Sequence, residues 1–136
     1  MNNLLQAINS KLSGSDLFND VGGRVFLDQA LPGTDYPYII FFIVSNVPDK
    51  TFTENFEDSI IQFSIFSNSQ SAKEITTIYD DLIALFDECT LPIETDALLR
   101  MHRVNTVTNI EDISTQQGAV GVRHWAVDFS ILIEKF

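Results

Sequence analysis

Two histidines and a single cysteine are the residues of this 136-residue chain best suited to metal binding or nucleophilic chemistry. Cys89 lies in the segment FDECTLP without a histidine nearby to activate it, which favours a structural thiol. His102 and His124 fall on two predicted strands that should pair, so the rings could approach each other. No H-x-x-x-H or C-x-x-C spacing accompanies them, however. The pattern therefore favours histidines at a solvent-facing or subunit-contact position, and it predicts no metal site.

The carboxylates also lack a catalytic arrangement. They occur as sequence neighbours, namely Asp80/Asp81, Asp87/Glu88 and Glu111/Asp112. Adjacent side chains on a helix or a strand point apart, so none of these pairs converges as a general acid and base. No serine lies in a G-x-S-x-G elbow, and the glycines of VGGRVF lead into a predicted strand rather than a helix that could bind phosphate. The sequence predicts no catalytic residues, no cofactor and no enzyme.

Composition limits the class of partner. The net charge is −11, and the 8 Lys and Arg residues are scattered, so tight binding to nucleic acid or to an anionic membrane is disfavoured. One cysteine excludes an intramolecular disulfide and fits a reducing compartment. The apolar run at 36–44 is far shorter than the ~20 residues of a spanning helix. We expect one soluble domain over 1–136, made in the cytoplasm.

Two helices are predicted. Leu4, Leu5, Ile8 and Leu12 recur at helical spacing and indicate a short amphipathic helix over 3–12, which ends at Ser13 and Gly14. The second helix carries a broad apolar stripe after residue 71 and ends near 90–92. Ser71 and Glu74 have the spacing of a capping box at its start.

The remaining apolar segments predict strands. The Gly22-Gly23 turn precedes a short edge strand, RVFLD, and YIIFFIV at 38–44 is predicted as the central strand. This central strand is apolar on both faces, so one face should meet the helices and the other further protein. IIQFSIFS and two C-terminal segments alternate as strands, with loops expected at 46–57 and 109–121. The order is α-β-β-β-α-β-β, an α+β fold whose mostly antiparallel sheet has two helices packed on one face.

The order of these segments resembles the tail-completion, or tail-terminator, proteins of long-tailed, siphovirus-like phages and prophages. The matching features are the N-terminal amphipathic helix, VGGRVF, LPGTDYPYIIF, the Phe-rich strand IIQFSIFS, the helix SAKEITTIYDDLIALFD and a final strand near HWAVDFSILIE. The resemblance covers nearly the whole chain.

The resemblance implies a structural virion protein at the head-proximal end of the tail. It implies a homo-oligomeric ring, typically a hexamer, that caps the tail tube, stops its polymerisation and joins the tail to the head connector. Its partners would be the tail-tube protein and the connector or adaptor protein. DNA would pass through the channel without specific binding, because an acidic wall repels phosphates.

The candidate partner or subunit contacts are apolar, aromatic and basic residues: Arg24, Tyr38, Ile40, Phe42, Lys50, Phe52, Phe56, Ile110 and Ile113. Phe52 and Phe56 lie in an otherwise polar segment, where exposed aromatic residues often anchor an interface. The alternative that they fold back on the sheet stays open. Other functions also stay open: another head–tail adaptor, a tail-tube subunit, or a small domain that binds a hydrophobic ligand or a protein.

Overall fold

A computed structural model describes residues 2–94, 96–115 and 118–136, and it describes the side chains of these residues except for 112–115 and 118–120. The helices are α1 (Asn2–Leu12), α2 (Asp16–Asp20) and α3 (Lys73–Phe86). The strands are β1 (Val25–Leu27), β2 (Tyr38–Lys50), β3 (Asn55–Ser67), β4 (Asp96–Thr115) and β5 (Gly118–Lys135).

The strands form one five-stranded sheet in the order β1-β2-β3-β5-β4. β1 runs parallel to β2, and all other neighbours are antiparallel. The α+β fold with a mostly antiparallel sheet is thus confirmed. The prediction that 38–44 is the central strand is wrong, because β3 occupies the middle and β2 lies next to the short edge strand β1.

The core lies between the helices and one face of the sheet. Phe63 on β3 stacks against Phe86 of α3, with ring centroids 5.0 Å apart, and meets Phe129 of β5 edge to face at 5.7 Å. All three rings are fully buried. Alternate residues of each strand enter this core, as the period of two along a strand requires. The many phenylalanines of the chain therefore pack in part as an aromatic centre for the fold.

Two local features differ from the predictions at the helices. Helix α2 was not predicted, because its five residues are too few to show a helical period. Ser15 caps it by accepting from the N–H of Phe18 at 3.1 Å. The capping box at α3 is wrong. Glu74 accepts instead from the hydroxyl of Ser67 at 2.6 Å, and Ser71 accepts from the N–H of Lys73 at 3.2 Å.

The loops predicted at 46–57 and 109–121 are also wrong, since both segments are largely arms of β-hairpins. β2 continues to Lys50, which lies opposite Asn55 at the start of β3. A tight turn joins them, in which the N–H of Thr51 donates to the carbonyl of Glu54 at 2.9 Å. The side chains at 47–55 and 107–111 are exposed, so backbone pairing rather than apolar alternation maintains the strands there.

Candidate interaction surface

The sheet has a face opposite the helix-packed core, which we call the open face. On β3 and β5 the open face consists of the even-numbered residues, since the odd-numbered Phe63 and Phe129 enter the core. On β2 it includes Tyr38, Ile40 and Phe42, which are half-buried although their neighbours Ile39 and Phe41 are buried. The apolarity of both sides of 38–44 thus corresponds to one core side and one side without helix cover among the described residues.

A row of rings crosses the open face from one strand to the next. Tyr36 lies 5.3 Å from Tyr38, Tyr38 stacks on Phe66 at 4.8 Å, and Phe66 stacks on His124 at 4.4 Å between centroids. The imidazole Nδ1 of His124 lies 3.2 Å from Glu111 Oε1 on β4. We call this set the aromatic row. It explains why Tyr38 is half-buried without a helix above it: its neighbours are other rings of the same face.

Polar atoms without partners also lie on the open face. His124 Nε2, His102 Nδ1 and Asp128 Oδ1 are buried and have no hydrogen-bond partner within the described part of the chain. Burial raises the pKa of the Asp128 carboxyl above its ordinary value. Such groups are costly to leave unpaired, so they lower the stability of this part of the sheet.

The two histidines do not meet. His102 lies opposite Ser130, and His124 lies opposite Asn109, several residues farther along the same strand pair. The described residues contain no cluster of His, Cys, Asp or Glu that could hold a metal ion. Burial raises the pKa of the Cys89 thiol, and its Sγ lies 3.7 Å from Met101 Sδ, which is the environment of a packed structural thiol.

Arg24 of the VGGRVF segment is bound inside the subunit. Its Nε donates to the carbonyl of Pro37 at 3.0 Å and its Nη2 to that of Tyr36 at 3.4 Å. Gly22 and Gly23 before it have φ of +60° and +78°, so the turn uses conformations that favour glycine. The segment therefore fixes the start of β1 against the residues that enter β2, which places the aromatic row.

The other candidate contacts lie along the hairpins. Lys50 and Phe52 are exposed near the turn of the β2–β3 hairpin, whereas Phe56 is half-buried on the open face of β3. Ile110 is exposed on the edge strand β4. The side chain of Ile113 lies outside the described part of the chain. The structure does not unite these residues in one patch, and their role in contacts stays a prediction.

The two long hairpins project from opposite ends of the sheet. At one end of the sheet is the β2–β3 turn, where Asn55 lies opposite both Lys50 and Lys135. At the opposite end of the sheet, β3 ends at Ser67, which lies opposite Arg123 of β5. The β4–β5 hairpin continues past the end of β3 to Thr115 and Gly118. Each end of the subunit thus presents a different hairpin.

The carboxyl groups of Asp20 on α2 and Asp81 on α3 form a pair that was not predicted from the sequence. Burial and, to a smaller extent, the neighbouring Asp81 carboxyl raise the pKa of the Asp20 carboxyl to about 7. The charge of Asp16 raises the pKa of Asp20 as well. The i, i+4 spacing of these two residues would have predicted that they share a helix face if α2 had been predicted. This pair lies on the helix layer, away from the open face.

Comparisons with known proteins identify the class. The chain matches the family described as Tail completion protein gp17 over residues 3–134. A solved structure described as the virion of a native gene transfer agent particle has a similar fold, with a TM-score of 0.74, 13% identity, and coverage of 95% of this chain and 92% of that chain. A second solved structure is similar at a TM-score of 0.59 and 11% identity, with coverage of 96% and 94%. No curated protein matches the sequence.

The chain belongs to the tail completion protein family. It is a structural protein of the phage tail, located in the virion, and it is not an enzyme. Among the helices of the described residues, none is both long and apolar enough to cross a membrane.

Proposed function

We propose that the protein is a tail terminator: copies of it close into a ring, hexameric as the resemblance implies, at the head-proximal end of the tail tube. The ring caps the tube, stops its growth and joins it to the head connector. The central observation is the placement of the two hairpins at opposite ends of the sheet. A subunit inserted between two different partners needs a distinct contact at each end, and these hairpins supply one each.

The charge distribution supports passage of DNA without retention. The strand register places five carboxylates on the open face: Asp49, Asp58, Glu111, Asp128 and Glu134. Among the described residues of these strands it places one arginine there, Arg100. Arg100 is already paired with Glu88 at 2.8 Å. A channel wall formed by this face repels the phosphates of DNA. It offers too few basic side chains to displace the counterions of DNA, which is the main source of affinity for nucleic acid. The net charge of −11 acts in the same direction.

The exposed aromatic ring of the β2–β3 turn supports contact with a partner at that end. Phe52 is fully exposed, and its side chain makes no contribution to the core of this subunit. Interfaces are commonly anchored by such a ring when it enters a pocket of the partner. The carboxylate-rich surroundings keep the free subunit soluble.

Native mass spectrometry and negative-stain microscopy of the purified chain test the proposal. A terminator gives a closed ring of defined mass that does not lengthen with concentration. Long polymers would identify a tail-tube subunit instead. A strictly monomeric protein that also fails to bind the end of a preformed tail tube would overturn the proposal and favour a ligand- or protein-binding domain.

A further inference from the structure

Exposed apolar side chains concentrate at the two opposite edges of the sheet. At the β1/β2 edge they are Leu27, Leu31, Val44 and Val47, and along β4 they are Leu99, Val104, Val107 and Ile110. Val47, Val107 and Ile110 keep 57%, 53% and 58% of their surfaces exposed. Among the large apolar residues described as exposed, those elsewhere are Phe52 and Phe136. Such a distribution is unusual for a free surface, because exposed apolar edges invite pairing with another chain.

Both edges also offer unpaired backbone. β1 pairs with β2 only as far as Phe41, so from residue 42 onward no described strand lies on the outer side of β2. Pro48 has no N–H, which limits pairing there to 42–47, about the length of an ordinary strand contact. β4 is the other terminal strand.

The residues just after α3 determine how much of the outer side of β4 is left without backbone partners. The N–H of Glu88 donates to the carbonyl of Met101 at 2.8 Å, and Asp87 accepts from the N–H of Arg103 at 2.9 Å. These contacts occupy the outer side of β4 near its start. The stretch 104–111 has no neighbouring strand on that side within the described chain, and the N–H of Ile110 donates to the side chain of Asn109 at 2.9 Å.

Charge indicates the occupant. The protein carries a net charge of −11, so two copies repel each other over most of their surfaces. The free edges are exceptions: 42–47 contains no charged residue, and 104–111 contains Glu111 alone. A second acidic copy can therefore approach at these edges with little repulsion.

We infer that the outer edge of β4 at 104–111 pairs with the outer edge of β2 at 42–47 in the next copy of the chain. This inference rests on the proposed ring and specifies its subunit contact. The contact is heterologous, because two different edges meet. Each subunit uses its β4 edge to bind one neighbour and its β2 edge to bind the other, so a series of such contacts can close into a ring. Within a subunit β4 and β2 run in opposite directions, so neighbouring copies in the same orientation pair antiparallel. The register places 42–47 level with 100–105 of β4 and not with 104–111, so this pairing requires strands that are tilted to the ring axis, as in a closed barrel.

Two single variants and their mixture test the inference by native mass spectrometry. Val107→Lys blocks the β4 edge and Val47→Lys the β2 edge, because an exposed lysine opposes strand addition. Each variant alone should be monomeric. Mixed in equal amounts, they should form a one-to-one dimer and nothing larger, since only one intact edge of each type remains. Ala84→Lys, at an exposed position of α3, adds the same charge and should leave the ring intact.

Circular dichroism and thermal unfolding verify that the variants fold. If the wild-type chain forms a ring and both edge variants still do so, the edge contact is wrong while the terminator proposal stands. If Val47→Lys alone still dimerises, the contact joins two β4 edges and the heterologous pairing is overturned. A wild-type chain that neither forms rings nor binds tube ends removes the proposed function and this inference together.

Discussion

The guanidinium of Arg24 and the carbonyl of Pro37 are joined by a hydrogen bond of 3.0 Å, across thirteen residues of sequence. This bond links the turn before β1 to the segment that enters β2. Tyr38 follows directly and stacks on Phe66 in the aromatic row of the open face. The position of the aromatic row therefore depends on a polar bond beside it.

Arg24→Lys should lower the free energy of unfolding by about 1–3 kcal/mol, because an ammonium cannot donate to both the Tyr36 and the Pro37 carbonyl in the same geometry. Urea unfolding measures the change. Arg123→Lys is the matched control, since Arg123 makes one exposed bond of 3.3 Å to the Gln70 carbonyl. An unchanged stability together with lost assembly would assign Arg24 to a partner contact instead.

Gly23→Ala should destabilise the fold more than Gly14→Ala. Gly23 and Gly14 have φ of +78° and +75°, so each substitution incurs about 1–2 kcal/mol of backbone strain. A Cβ on Gly23 would also lie 3.2 Å from the Phe18 ring, whereas one on Gly14 meets no atom within 4 Å. The difference between the two unfolding free energies measures the Phe18 contact. Equal losses would show that the ring of Phe18 moves away freely.

Asp20 should make stability depend on pH. Its folded pKa is about 7 and its ordinary value 3.8, so the folded state holds a proton that the unfolded state loses. The contribution of Asp20 is therefore complete below pH 3.8 and is lost as the pH rises through about 7. Asp20→Asn should reduce the fall in unfolding free energy between pH 5 and pH 8, as followed by urea denaturation.

Asp80→Asn removes the same charge from an exposed position of α3 and serves as the control for that pH series. It should leave the slope of stability against pH unchanged. Identical slopes for Asp20→Asn and the wild type would contradict the shared site with Asp81.

Phe52→Ala and Phe56→Ala should separate assembly from stability. Phe52 is fully exposed, so its removal should change the unfolding free energy by less than about 0.5 kcal/mol while reducing the yield of joined particles. Phe56 is half-buried on β3, so its removal should also cost stability. Thermal unfolding, together with electron-microscopic counts of joined particles in a complementation assay, provides the two readouts. Normal joining with Phe52→Ala would exclude the β2–β3 turn as a contact.

The apolar pattern predicted the parts of the fold that bury side chains. Alternation located β3 and β5, and the helical stripe located α3, because burial imposes their periods. The hairpin arms were missed since residues such as Asp49 and Asn55 are polar and depend on backbone pairing. The register between β4 and β5 could not be predicted either. It depends on bulges in β4, and nothing in the spacing of His102 and His124 indicates them.

The candidate contacts were predictable by type but not by place. Ile40 and Phe42 were expected on a face that further protein covers, because both sides of their strand are apolar. They lie half-buried on the open face, and their role in a contact stays a prediction. Val47 and Val107 gave no signal, because an isolated valine in a polar segment has no period. Their importance depends on which strands end the sheet, and strand order is a property of long-range pairing.

Electron microscopy of tail tubes assembled from the tube subunit, with and without the purified protein, tests the terminator proposal most directly. We predict that added protein stops elongation and leaves a closed ring at one end of each tube, with tube length falling as its concentration rises. Tubes that grow to the same length with bare ends, or that incorporate the protein along their whole length, would contradict it.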